Sequence, residues 1–332
     1  MSQLTIDIDK NWGAYRIENI GAPQADTGIL PRGLVDIYSS DHGLNWEDLG
    51  AIHGLGHEAA AYLGNGIAIM GSFNHVSRST DYGLTWADLG ALAGANWIES
   101  MCNFGNGIAC LGEFQHIWRS TDYGATWADL GVIGATALIS MTYLGNGIAI
   151  ACRTNLHRST DYGATWADLG QVAGCVMIAT CYLGNGIAIL SDWNFHIWRS
   201  TDYGATWADL GVISTNHIGC FAYLGNGIAI GGDADRHIWR STDYGATWVD
   251  VGIIAIDLLR SMAHLGNGIT IAACDSLHIY RSTDYGATWT DLGAITNDFP
   301  HCMIYLGNGI AIVGDNNDHI FRSTSAFQLW RD

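Results

Sequence analysis

One unit, Ser-Thr-Asp-Tyr-Gly-Ala-Thr-Trp-Ala-Asp-Leu-Gly, recurs with small changes along most of the 332 residues, and nothing else in the chain limits its fold as much. Its tryptophans are Trp46, Trp86, Trp127, Trp166, Trp207, Trp248 and Trp289, at steps of 39 to 41, and one more step of 41 reaches Trp330. A second signature, Gly-Asn-Gly-Ile, begins at Gly64, Gly105, Gly145, Gly184, Gly225, Gly266 and Gly307. Each unit reads as four short strands, A to D. Strand A is apolar, as in residues 138–144, and Asn-Gly then turns the chain, because a type I′ hairpin needs two residues at positive φ. Strand B is small and β-branched (Ile148-Ala149-Ile150-Ala151-Cys152), and strand C follows a variable tip, as in His116-Ile117-Trp118-Arg119-Ser120. The Ser-x-Asp-x-Gly-x-Thr-Trp turn leads into strand D. No segment sustains a helical period.

A four-stranded antiparallel sheet has two faces to bury, and radial packing of such sheets covers both while leaving only short edges. The expected fold is therefore all-β, a single β-propeller of four-stranded antiparallel blades. The octapeptides Ser79–Trp86, Ser120–Trp127, Ser159–Trp166, Ser200–Trp207, Ser241–Trp248 and Ser282–Trp289 resemble the Asp-box (BNR) motif. That motif forms the C–D turns of sialidases, sortilin-type receptors, some glucanases and a photosystem II assembly factor. The resemblance implies the fold and leaves function open. Residues 10–50 are one repeat length ending in the box Ser39–Trp46, although Gln24-Ala25-Asp26-Thr27 stands where Gly-Asn-Gly-Ile belongs. The whole chain, 1–332, is thus expected to be one propeller: 1–9 an N-terminal extension or closing strand, 10–50 a divergent first blade, and 51–332 seven regular repeats. Eight C–D units, counted through Trp330, predict eight blades. Seven is the alternative, with the N-terminal strand completing the last blade.

A net charge of −18 with Lys10 as the only lysine disfavours nucleic acid and anionic lipid as partners. No apolar run approaches the roughly 18 residues of a membrane-spanning helix. The first residues lack a basic and apolar leader, so the expected location is cytoplasmic or within an assembled particle, with non-classical export as a further route. The eight cysteines occupy no fixed repeat position and form no Cys-x-x-Cys, which predicts reduced, buried thiols.

Recurrence in nearly every unit marks the box aspartates as fold determinants, since a catalytic site usually occurs once. No catalytic residue, cofactor or metal is assigned. Histidine recurs at the head of strand C (His75, His116, His196, His237, His278, His319), with Asn155 in its place once. The arginines before the boxes, such as Arg119 and Arg199, are expected to neutralise nearby carboxylates.

In a propeller the A–B and C–D turns share one face, nearly invariant here. The B–C and D–A connections share the other, where the units diverge. Aromatic rings beside planar polar groups suit sugars, so ligand contacts are expected there. The residues are Phe73, Asn74, Trp97, Phe114, Gln115, Trp193, Asn194, Asp233, Asp235, Asp275, Asp315 and Asn317, with the six histidines. The function this predicts is non-enzymatic recognition of a glycan or other polar small ligand at several equivalent sites. A structural or assembly component, such as a phage or virus appendage or an assembly factor, is the alternative, with a homo-oligomer or larger assembly as partner. A sialidase-like hydrolase, the weaker alternative, rests on the acidic tips and on Tyr15-Arg16-Ile17-Glu18, similar to the Tyr/Phe-Arg-Ile-Pro entry of sialidases, and finds no arginine triad or nucleophile pair.

Overall fold

The computed structural model describes residues 7–8, 15–16 and 43–324. The chain divides into two units, Met1–Ile37 and Tyr38–Asp332. In the first, Asp7–Ile8 pairs antiparallel with Tyr15–Arg16. The side chains of Tyr15 and Arg16 lie outside the described residues, as do the rest of the 10–42 stretch and Trp330.

The second unit is a propeller of seven four-stranded antiparallel sheets, each ordered A-B-C-D. The first blade is Ala59–Gly64, Ile67–Gly71, His75–Ser79 and Ala87–Ala91. Blades two to six open with the A strands Ser100–Gly105, Ser140–Gly145, Met177–Gly184, Ile218–Gly225 and Leu259–Gly266. The seventh takes Pro300–Gly307, Ile310–Asp315 and His319–Thr324 from the end of the chain. Its D strand is Asn45–Ala51, which pairs with the C strand in the register Trp46↔Ser323, Glu47↔Arg322 and Asp48↔Phe321. The ring therefore has seven blades, and the expected eight is corrected. The box ending at Trp46 opens no blade of its own, because its strand D completes the sheet that begins at Pro300. Each A strand lies beside the A strands of the two adjoining blades, and Pro300–Gly307 beside Ala59–Gly64 closes the circle.

Within a blade the two constant turns lock together. In the third blade Asn146 and Gly147 take φ of 54° and 77°, the I′ hairpin expected of Asn-Gly. Tyr162, in the box, donates its N–H to the Gly147 carbonyl at 2.9 Å. Its ring lies where a Cβ on Gly147 would come within 2.8 Å, so only glycine fits beneath it. The box is a hydrogen-bonded knot. Asp202 Oδ1 accepts the Thr206 N–H at 2.9 Å and the Ser200 hydroxyl at 2.8 Å, while Oδ2 accepts the Thr206 hydroxyl at 2.6 Å. Ser200 Oγ accepts the Gly204 N–H, and Trp207 donates Nε1–H to the Gly204 carbonyl. The same pattern recurs in the boxes of Asp81, Asp122, Asp161, Asp243 and Asp284.

Between blades the box is also the joint. Arg78, Arg119, Arg158, Arg199 and Arg240 each donate Nε–H to the carbonyl of the box tyrosine one blade on, at 2.7–2.9 Å. Arg322 does the same to Tyr82 at 2.9 Å and so spans the closure. These guanidinium groups, expected against carboxylates, are spent chiefly on carbonyls. Seven apolar clusters fill the seams, and each places a box tryptophan against the A and B strands of the preceding blade. Trp207 packs with Leu144 and Ile150, Trp248 with Leu183 and Ile189, and Trp86 with Leu306 and Ile312. All eight cysteines are free and six are buried, with burial pushing Cys152 and Cys220 up to about 12.

Burial, the largest influence on the six box aspartates, raises their pKa, yet the Thr and Ser hydroxyls and backbone amides together outweigh it and hold it below the usual value. A folded pKa below the unfolded one, about 3.9, stabilises fully above that value and is lost as pH falls through the folded pKa. The melting temperature is expected to decline below about pH 6.5, where burial keeps His53, His157, His217 and His264 from taking the proton that the unfolded chain accepts. It should drop further below about pH 4 as the box carboxylates protonate. Asp202→Ala should cost about 2 kcal/mol at neutral pH, read by urea unfolding.

Candidate functional site

The six recurring histidines are held inside their own blades. His75, His116, His196, His237 and His278 each set Nδ1 within 2.8–3.0 Å of the strand-D aspartate of the same sheet: Asp88, Asp129, Asp209, Asp250 and Asp291. His319 makes the same contact with Asp48 across the closing pair at 2.9 Å. In the third blade Asn155 Nδ2 donates to Asp168 at 2.9 Å, so a neutral donor serves equally. One per blade, the pairs do not converge.

The acids of the B–C tips are largely consumed by the turns. Asp233 is fully buried; Oδ1 accepts the N–H groups of Asp235 and His237, and Oδ2 accepts Trp239 Nε1–H at 2.8 Å. Asp192 repeats this with Asn194, His196 and Trp198. Asp315 holds Asn317 and His319 the same way, but Phe321 replaces the tryptophan, and Oδ2 is left without a donor. Asp275 forms a two-bond pair with Arg260, at 2.5 and 2.8 Å. Gln115 donates Nε2–H to the Ala135 carbonyl. Asn74 sits at a positive φ of 51°. Asp235 accepts a bond from Asn216.

The aromatic residues behave differently. Phe73, Trp97, Phe114, Trp193 and Phe299 are all exposed, Trp193 most at 57%. Trp193 stacks on His217 with ring centroids 4.6 Å apart and planes 13° apart, which leaves its other face outward. Phe73 and Trp97 meet edge to face at 5.4 Å, tied by a backbone bridge. Beside Trp97 is a cavity of about 390 Å³ lined by Glu58, Trp97, Glu99 and Ile139.

Glu58, Glu99 and Ile139 each immediately precede an A strand, so the cavity lies at the end of the A-strand ring opposite the Gly-Asn-Gly turns. Glu58 pairs with His301 at 2.7 Å and Glu99 with Arg153 at 3.6 Å. Burial, with Glu58 adding, raises the pKa of Glu99 against the pull of Arg153. Sequence reasoning missed these residues. Six positions before each Gly-Asn-Gly stand Glu58, Glu99, Ile139, Ile178, Gly219, Arg260 and His301, so one rim is acidic on two blades, apolar on two and basic on two. Their alignment against the invariant turn was the available signal.

With six Asp-box turns among the described residues and seven blades around one ring, the chain is a β-propeller that carries Asp-box repeats. The BNR-Asp box repeat family matches residues 238–251. Similar solved structures include YCF48 bound to D1 peptide, 14% identical with a TM-score of 0.70 over 84% of this chain and 96% of that one. Streptogramin B lyase is similar at 12% identity, with a TM-score of 0.73 over 84% and 96%. The WD40 β-propeller domain of Doa1 is similar at 11% identity, with a TM-score of 0.67 over 85% and 98%. At such identities the likeness is one of fold. No curated protein matches the sequence.

Trp193→Ala, at an exposed ring, should change unfolding free energy by no more than about 0.5 kcal/mol. Asp233→Ala removes the buried acceptor of three half-buried donors and should cost about 2 kcal/mol. Paired urea titrations of the two variants check this division between surface and scaffold.

Proposed function

We propose that the protein is a non-enzymatic recognition propeller whose ligand seats on the face of the B–C tips and D–A links. The observation that carries this reading is the gathering of exposed rings on that face, with Trp97 beside a 390 Å³ cavity and Trp193 presenting a free face. The opposite face is occupied by turns that bond to themselves. A carbohydrate is the first ligand class: an aromatic face covers the apolar side of a sugar, and Asn194, Asn317 and Asp235 supply groups for hydroxyls. Because Asp233, Asp315 and the histidines are engaged within the fold, the contacts centre on the rings and the mouth of the A-strand ring.

A protein segment is the second reading. The rim changes from acidic through apolar to basic around the ring, a pattern suited to an oriented peptide, and the similar YCF48 structure is described as bound to D1 peptide. In that case the protein acts as a scaffold or assembly component.

A glycan array and a peptide-display library, each screened with the wild type and with Trp97→Ala and Trp193→Ala, separate the two. A hit on either panel should weaken about 30-fold in at least one variant, the size expected of an aromatic anchor worth about 2 kcal/mol. Binding that neither variant alters would remove this face from consideration.

A further inference from the structure

The seam between the seventh and first blades holds a cluster that the other seams lack. The link between the closing strand Asn45–Ala51 and the first A strand carries His53-Gly54-Leu55-Gly56-His57. His57 stands seven residues before its Gly-Asn-Gly. The other blades have Ile98, Leu138, Met177, Ile218, Leu259 and Pro300 there. His53 stands where they have glycine, alanine, serine or threonine. Asp318, just before the strand-C histidine, occupies a position that varies among the blades as Asn74, Gln115, Phe195, Arg236 and Leu277, and is the only acid there. Two departures from the repeat, His53 and His57, therefore meet an acid at a variable position.

They meet closely. Asp318 Oδ2 accepts the N–H groups of Ile52 at 2.7 Å and Gly54 at 2.6 Å, and that of His53. This turns Oδ1 toward the imidazoles, 3.0 Å from His57 Nε2 and 3.5 Å from His53 Nε2. The three donor atoms lie within 4.8 Å of one another. Ligands about 2.0–2.1 Å from a tetrahedral ion stand about 3.3 Å apart, close to the two histidine–carboxylate spacings.

His57 and Asp318 are fully buried, and neither His57 nitrogen nor Asp318 Oδ1 makes an aligned hydrogen bond. The 3.0 Å approach of His57 to Asp318 is therefore a contact of distance without hydrogen-bond geometry. A histidine in an apolar position, buried and unbonded, would be costly without a further partner. Ser72, fully buried on the first blade's B–C tip, places Oγ 3.3 Å from His53 Nε2. The loops are pressed together, since a Cβ on Gly56 would come within 2.4 Å of the Asn316 carbonyl oxygen.

We propose that His53, His57 and Asp318 supply three of the four ligands of a site for a divalent transition metal, Zn²⁺ by its two-imidazole, one-carboxylate donor set, with a water in the fourth position, and that the ion clasps the closure of the ring. The site lies among the D–A link and B–C tips of the same side of the ring as the proposed ligand surface, next to Glu58, but is enclosed rather than exposed. Its burial gives a substrate no access, so its effect is on the stability of the seam.

The test uses the full chain, stripped with chelator and titrated with Zn²⁺ by calorimetry and with Co²⁺ by visible absorption. One ion per chain and a rise in melting temperature on adding Zn²⁺ are expected. His53→Gln should weaken Zn²⁺ by at least the roughly 10–100-fold that loss of even an outer partner costs. His57→Leu, which installs the residue found at this position as Leu138 and Leu259, should fold and lose both the Co²⁺ spectrum and the Zn²⁺-dependent stabilisation. Absence of stoichiometric metal in the wild type, or equal binding by wild type and His57→Leu, would overturn the proposal.

Discussion

The structure depends on the way one short turn satisfies three demands at once. In each Asp box the carboxylate gathers the amides and hydroxyls of its own turn. The tyrosine carbonyl of the same turn receives an arginine from the blade before it, and the tryptophan fills the seam on that side. A lone four-stranded sheet would leave two apolar faces in water. Coupling turn formation to docking means that each blade is finished only when its neighbour is in place, the nearest-neighbour cooperativity expected of repeat folds.

That economy decides where the repeats can vary. Residues that build the box, the Gly-Asn-Gly hairpin or the seam are tied by geometry, as Gly147 shows beneath the ring of Tyr162. The B–C tips are fixed by neither the box nor the Gly-Asn-Gly hairpin, so they tolerate Phe195, Arg236 or Leu277 even at positive φ. Part of this freedom is spent on the fold, in the turn-holding carboxylates of Asp192, Asp233 and Asp315. The remainder is a surface of exposed rings around a rim whose charge changes from blade to blade.

The fold was largely legible, because hairpin chemistry, alternating strands and the box motif are local and recur in register. The candidate site was only partly legible. Phe73, Trp97, Phe114 and Trp193 read correctly as residues of the variable face, since large rings at loop tips stand out from a polar background. Asp233 and Asp315 look identical in sequence to ligand-gripping acids. That they bend back to hold Trp239 Nε1 or the His319 amide depends on the three-dimensional turn. Glu58, Glu99 and Ile139 were missed because each belongs to a different repeat and they gather only when the A strands form a ring.

The sequence by itself determined the all-β blade, its four strands and the face on which the units diverge, all of which follow from patterns within about 40 residues. Only the tertiary structure decided the number of blades and the chemistry of the seam. Counting boxes cannot tell whether Asn45–Ala51 ends a blade of its own or completes another, since a strand D looks the same in either role. The choice is made by pairing with His319–Thr324 at the far end of the chain. The same long-range closure brings His53 and His57 to Asp318, a meeting that no local pattern encodes.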